Sequence, residues 1–126
     1  MSLRVCCGIY RSIRLECPSS GVRPTTDRVK EAIFSVLVHD LQAAVVLDLF
    51  AGSGSLGIEA ISRGAAQATF VEKTKGCIEV IEKNLKTIND CERAIIIKAD
   101  ARQFVRTCPS LFDLIFMDPP YHKGLA

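Results

Sequence analysis

Four short apolar runs punctuate the chain: Val45-Val46-Leu47-Asp48-Leu49-Phe50, Ala68-Thr69-Phe70-Val71, Ala94-Ile95-Ile96-Ile97 and Leu114-Ile115-Phe116-Met117, the last reaching back to Phe112. Runs this short and this apolar predict buried strands. Between them the spacing turns helical. Ser55 to Arg63 predicts a helix stopped by Gly64, and Ile78, Ile81, Leu85 and Ile88 form the apolar stripe of the next. Ahead of the first run, Asp27 caps a predicted helix with Val29, Ile33, Val36 and Leu37 on one face, closed by His39. Earlier still, Val5 to Tyr10 and Ser12 to Leu15 predict two short strands around a glycine-marked bend. Strands alternating with helices imply one α/β domain built on a parallel sheet with right-handed crossovers. The expected organisation is a hairpin over residues 1–23 and a core over 24–126.

Two strand ends carry candidate chemistry. The first run opens into Ala51-Gly52-Ser53-Gly54-Ser55-Leu56-Gly57, so glycines at 52, 54 and 57 follow a strand and precede a helix. Glycine allows a ligand to approach backbone amides and the helix N-terminus closely. Glu72 ends the second run, where an acid can meet ribose hydroxyls. The fourth run ends at Asp118-Pro119-Pro120-Tyr121. The prolines stop the strand because they cannot donate a ladder hydrogen bond. Carboxylate, stiff carbonyls and ring then suit a flat heterocycle with an exocyclic amine. Asp-Pro-Pro is also ordinary turn chemistry. The glycine loop by itself equally fits an NAD-type dinucleotide, a reading that leaves Asp118 to Tyr121 without a role.

Asp48-Leu49-Phe50-Ala51-Gly52-Ser53-Gly54 resembles the first motif of S-adenosylmethionine-dependent methyltransferases. Asp118-Pro119-Pro120-Tyr121 resembles the motif of those that methylate exocyclic amino groups of bases. Arg23-Pro24-Thr25-Thr26-Asp27-Arg28-Val29-Lys30-Glu31-Ala32 is similar to the segment before the core in the RsmD family, which methylates guanine N2 in small-subunit ribosomal RNA. The resemblance runs from about Arg4 to Tyr121. It implies a Rossmann-like class I methyltransferase fold with helices on both sheet faces. It also implies S-adenosyl-L-methionine (S-adenosylmethionine) as cofactor and ribosomal RNA or the small ribosomal subunit as partner. Asp48, Phe50, Ala51, Gly52, Ser53 and Gly54 would meet the methionine part of the cofactor. Glu72 and Lys73 would lie at its ribose, and Asp100, Ala101 and Asp118 would complete its site. Asp118, Pro119, Pro120 and Tyr121 would be catalytic, with Tyr121 stacked on a flipped base. Arg11, Arg14, Arg23, Thr25 and Arg28 would contact RNA. The nearest alternatives are adenine-N6 methylation and a non-catalytic module that binds cofactor or RNA. The family fold continues past the Asp-Pro-Pro-Tyr motif, whereas five residues follow it here; either a fragment of a longer protein or a dimer that pairs through the uncovered edge is expected.

Composition changes this picture little. The chain is 126 residues long and 48% hydrophobic, enough for one core. No apolar stretch reaches membrane-spanning length and no signal-peptide pattern opens the chain, so a cytoplasmic location is expected. Charge is uneven. Residues 1–30 hold six basic and two acidic side chains, the rest ten and twelve, which suits a phosphate-contacting flap or a solvated, sheet-extending hairpin alike; the family resemblance favours the flap. Cys6, Cys7, Cys17, Cys77, Cys91 and Cys108 show no metal-ligand spacing and are expected to be mostly buried small hydrophobes, without a metal site. His122 is expected to be an exposed turn residue.

Overall fold

The computed structural model describes residues 3–18, 26–107 and 111–117. Two short antiparallel strands, β1 (Leu3–Arg4) and β2 (Arg14–Leu15), precede helix α1 (Asp27–Val36). Then come β3 (Val45–Leu49), α2 (Ser55–Ser62), β4 (Gln67–Glu72), α3 (Lys75–Ile88), β5 (Ala94–Lys98), α4 (Ala101–Thr107) and β6 (Leu114–Met117). The last four strands form one sheet in the order β5-β4-β3-β6, every pair parallel. Strand β3 is central and reads as a nearly continuous apolar run because it is covered on both faces.

Alternation along the strands sends side chains to two cores. Val46, Ala68, Phe70 and Phe116 pack with Phe34 of α1, Ile58 and Ile61 of α2, and Ile81, Leu85 and Ile88 of α3. Leu47, Leu49 and Val71 pack on the opposite face against Ala101, with Phe104 and Phe112 beside them. Full burial of each such Leu, Ile or Phe contributes roughly 1.5–3 kcal/mol. The face under α4 is thinner: Ile95, Ile115 and Met117 keep about half their surface exposed. Among the described residues no helix is long and apolar enough to cross a membrane.

Three expectations about elements change. Helix α1 is capped by Thr26, whose Oγ1 accepts from the Val29 amide, not by Asp27. Its inward face carries Lys30, Ile33, Phe34 and Leu37, while Val29 and Val36 are exposed. His39 lies in the turn after the helix, not in its last turn. The N-terminal hairpin is also shorter than its sequence suggests. Leu3 pairs with Leu15 and Arg4 with Arg14, Val5 still exchanges backbone hydrogen bonds with Ser12 and Ile13, and residues 6–10 leave the hairpin to meet α2. The cysteines are not mostly buried: Cys77 is, Cys6 and Cys17 are half-buried, and Cys7 and Cys91 are exposed. Cys108 and His122 lie outside the described residues.

Candidate functional site

Strand register aligns the candidate residues. Leu49 pairs with both Val71 and Met117, and Glu72 pairs with Lys98, so the four strands end at one rim. The chain leaves β3 through a loop with three residues in the left-handed region: Phe50 (φ 57°), Gly52 (φ 59°) and Gly54 (φ 81°). Phe50 is not glycine, so holding it there costs on the order of 1 kcal/mol. The loop is held by the Ala51 amide on the Val71 carbonyl (3.1 Å) and the Gly54 amide on the Ala51 carbonyl (2.8 Å). Glu72 closes it from the side: its carboxylate accepts from the Gly52 amide at 2.9 Å and the Thr74 amide at 3.0 Å.

The glycines serve different ends. Gly54 is the N-cap of α2, where its conformation starts the helix. At Gly57 a Cβ would stand 2.3 Å from the Phe70 ring, so this glycine lets α2 lie against β4. Asp48 sits beneath the loop, 2% exposed, and accepts from the Gly57 amide at 3.1 Å. It thereby supports the first turn of α2. Asp100 is half-buried and accepts from the Arg102 amide at 2.9 Å, capping α4, with Ala101 buried behind it. Ser53 is buried in the loop, and Lys73 is exposed beside Glu72.

Arg11, Arg14 and Arg28 are exposed. Arg23, Thr25, Asp118, Pro119, Pro120 and Tyr121 lie outside the described residues, though Met117, preceding Asp118, is paired to Leu49 at the rim.

Polar groups that no motif announced fasten the N-terminal segment to the core. Glu59, fully buried on α2, accepts from the amides of Cys6 (2.9 Å) and Cys7 (3.0 Å). Arg63 donates to the same carboxylate at 2.8 Å, and the fully buried Lys30 ammonium lies 3.6 Å away. Lys30 also donates to the Arg4 carbonyl. Ser62 Oγ donates to the Cys7 carbonyl and accepts from the Tyr10 amide. A Cβ at Gly8 would fall 2.0 Å from the Ser62 carbonyl oxygen, so only glycine permits this approach. Burial pushes the Cys6 thiol up to about 11; the nearby Lys30 charge opposes this and Glu59 adds to it. Farther along, the Tyr10 hydroxyl donates to Asp90 at 2.5 Å, and Arg93 donates to the same carboxylate. Burial alone would raise Asp90, but the hydrogen bonds from Arg93 and Tyr10 outweigh it and hold the carboxyl below its ordinary range.

The family model described as Conserved hypothetical protein 95 matches residues 3–126. Ribosomal RNA small subunit methyltransferase D of Haemophilus influenzae is 41% identical over 98% of this chain, and that of Escherichia coli 40% identical over 98%. The chain belongs to the RsmD family. It spans 66% and 62% of the length of those two relatives. A solved Escherichia coli structure assigned as a methyltransferase superposes with a TM-score of 0.87 at 37% identity, covering 99% of this chain and 68% of that one. A precorrin methyltransferase domain from Rhodobacter capsulatus, 22% identical with a TM-score of 0.69 over 86% of this chain and 59% of that one, shares the fold alone. The RsmD-family chain therefore has a Rossmann-like methyltransferase fold, with the glycine loop at the carboxyl rim of its parallel sheet.

Proposed function

We propose that this chain forms the cofactor-binding part of an enzyme that transfers a methyl group from S-adenosylmethionine to the exocyclic N2 of a guanine in small-subunit ribosomal RNA. The observation that carries the reading is the loop from Phe50 to Gly54, left-handed at three positions and clamped by Glu72 at the rim of four parallel strands. The relatives' names, methyltransferase D of the ribosomal RNA small subunit, support the substrate class.

The donors and acceptors on the rim fit such a cofactor. Glu72 keeps its two oxygens at the strand end, where each can accept a ribose hydroxyl beside the amide it already binds. Asp100, at the end of β5, offers an acceptor for an exocyclic adenine amine, with the Ala101 amide as donor. Asp48 lies under the loop and acts through it, by fixing the first turn of α2 at the methionine end. When bound, S-adenosylmethionine supplies an electrophilic sulfonium methyl, so this chain's residues need only orient and polarise the nucleophile. A guanine amino nitrogen is a weak nucleophile because its lone pair is delocalised. Asp118 and the Pro119 carbonyl accept its two hydrogens and favour the pyramidal form, and Tyr121 stacks on the base. Exposed Arg11, Arg14 and Arg28, with Arg23 and Thr25, hold the RNA backbone.

Methyl transfer to small-subunit ribosomal RNA, read by nucleoside mass spectrometry, tests the proposal. N2-methylguanosine is expected. N6-methyladenosine would move the substrate to adenine. Cofactor binding without transfer would leave the chain a non-catalytic binding module.

A further inference from the structure

We propose that Asn84 is a positioning residue that joins the cofactor loop to the N-terminal segment, so that binding at the loop orders both. This rests on the cofactor reading of the loop given above. Asn84 lies in the middle of α3 and is fully buried. Its side-chain amide makes three hydrogen bonds, one for each N–H and one for its oxygen. Oδ1 accepts from the Glu16 amide at 2.7 Å, and Nδ2 donates to the Glu16 carbonyl at 3.0 Å. Nδ2 also donates to the Ser53 carbonyl, 2.9 Å away.

The first two bonds let the carboxamide stand in for a neighbouring strand, pairing with both backbone groups of one residue. The third holds the peptide between Ser53 and Gly54. That peptide leads into the left-handed Gly54 that starts α2, so its plane decides where the loop amides point. A glycine in this loop has little conformational preference of its own, and a neighbour must fix it. One buried side chain therefore spans the loop and the residue that follows β2. Residues 6, 7 and 10 of the same segment are tied independently to Glu59 and Ser62 on α2, the helix the loop begins. Loop and segment share two anchors. Ordering either one lowers the cost of ordering the other, and the coupling is reciprocal.

A leucine at 84 would fill similar space, yet it would leave the Glu16 amide and two carbonyls without their present partner. Losing buried hydrogen bonds of this kind leaves desolvated backbone groups unpaired, which disfavours the ordered state of both segments.

The test combines titration calorimetry with hydrogen exchange on the whole chain. In the wild type, S-adenosylmethionine should slow exchange across residues 5–17 as well as 50–60. Asn84→Ala should weaken binding by roughly tenfold or more and abolish the protection of residues 5–17. Asn84→Asp, which keeps the acceptor and loses both donors, should behave like Asn84→Ala. Ile88→Val, a core change one turn along α3 that touches neither partner, should leave affinity and protection unchanged. Protection confined to residues 50–60 in the wild type overturns the inference, whether or not the variants fold. Unchanged affinity in Asn84→Ala overturns it as well. A folded wild type that does not bind the cofactor overturns the cofactor reading, and this inference falls with it.

Discussion

Single residues separate the motif from its mechanics. Three glycines mark the loop, but the reasons for them differ: Gly54 supplies a left-handed cap and Gly57 clears the Phe70 ring. Gly57→Ala should therefore destabilise the fold itself, whereas Gly54→Val should abolish cofactor binding in whatever chain folds. Thermal unfolding together with calorimetry distinguishes the two; retained binding in Gly54→Val would count against the loop. On the proposed mechanism, Asp118→Ala should cost roughly 3 kcal/mol in the transition state, and Tyr121→Ala roughly 1–3 kcal/mol of stacking. Single-turnover methylation rates measure both, and an unchanged rate in Asp118→Ala would sink the polarisation argument. Thiol chemistry offers a check on the N-terminal packing. The raised Cys6 thiol and the buried Cys77 should alkylate much more slowly at neutral pH than exposed Cys7 and Cys91. Peptide mapping after timed iodoacetamide treatment reads the order, and fast labelling of Cys6 would contradict the buried contact with Glu59.

At the scale of elements, sequence periodicity carried the sheet and failed where polar side chains enter the core. The four strands were legible because each carries a short apolar run, deeply buried in β3 and β4 and only partly so in β5 and β6. Helix α1 was misread because its inward face is centred on Lys30, a fully buried ammonium, while Val29 and Val36 face outward. The stripe of α3 was read from its isoleucines and leucine and passed over Asn84, which is as buried as any of them. Val5 to Tyr10 reads as a strand, yet residues 6, 7 and 10 find their partners at Glu59 and Ser62, some fifty positions away. No local pattern encodes that. The gathering of the glycine loop, Glu72 and Asp100 at one rim was legible because their spacing follows strand ends; the left-handed Phe50 was not, since its residue type gives no hint of positive φ. Glu59 binds α1, α2 and the N-terminal segment at once. Glu59→Ala would leave Lys30 as an uncompensated buried charge and should destabilise the chain by about 3–5 kcal/mol. Urea unfolding measures it; a loss below about 1 kcal/mol would mean the network is not a structural unit.

The whole molecule combines a parallel-sheet core with an N-terminal segment strapped across α2. Asp90 and Asp27 lie at its attachment points, each held below the ordinary carboxylate range by hydrogen bonds that outweigh burial. A depressed carboxylate adds stability above its unfolded pKa, and that stability is lost as pH falls through the folded value. Stability should therefore be held above about pH 4 and fall below it. Asp90→Asn should flatten this acid limb in urea titrations run at successive pH values; an identical slope would exclude the Tyr10–Asp90–Arg93 contact as a source. The β6 edge of the sheet, where Ile115 and Met117 are open, is the place at which the expected dimer would pair. Sedimentation should show a concentration-dependent dimer that Met117→Lys weakens.

Calorimetric titration of the folded chain with S-adenosylmethionine tests the central claim most directly. Saturable one-to-one binding, lost in Gly54→Val and absent with NADH, is the predicted result. A chain that is folded by circular dichroism and takes up no cofactor would contradict the assignment of the loop from Phe50 to Gly54 as its site.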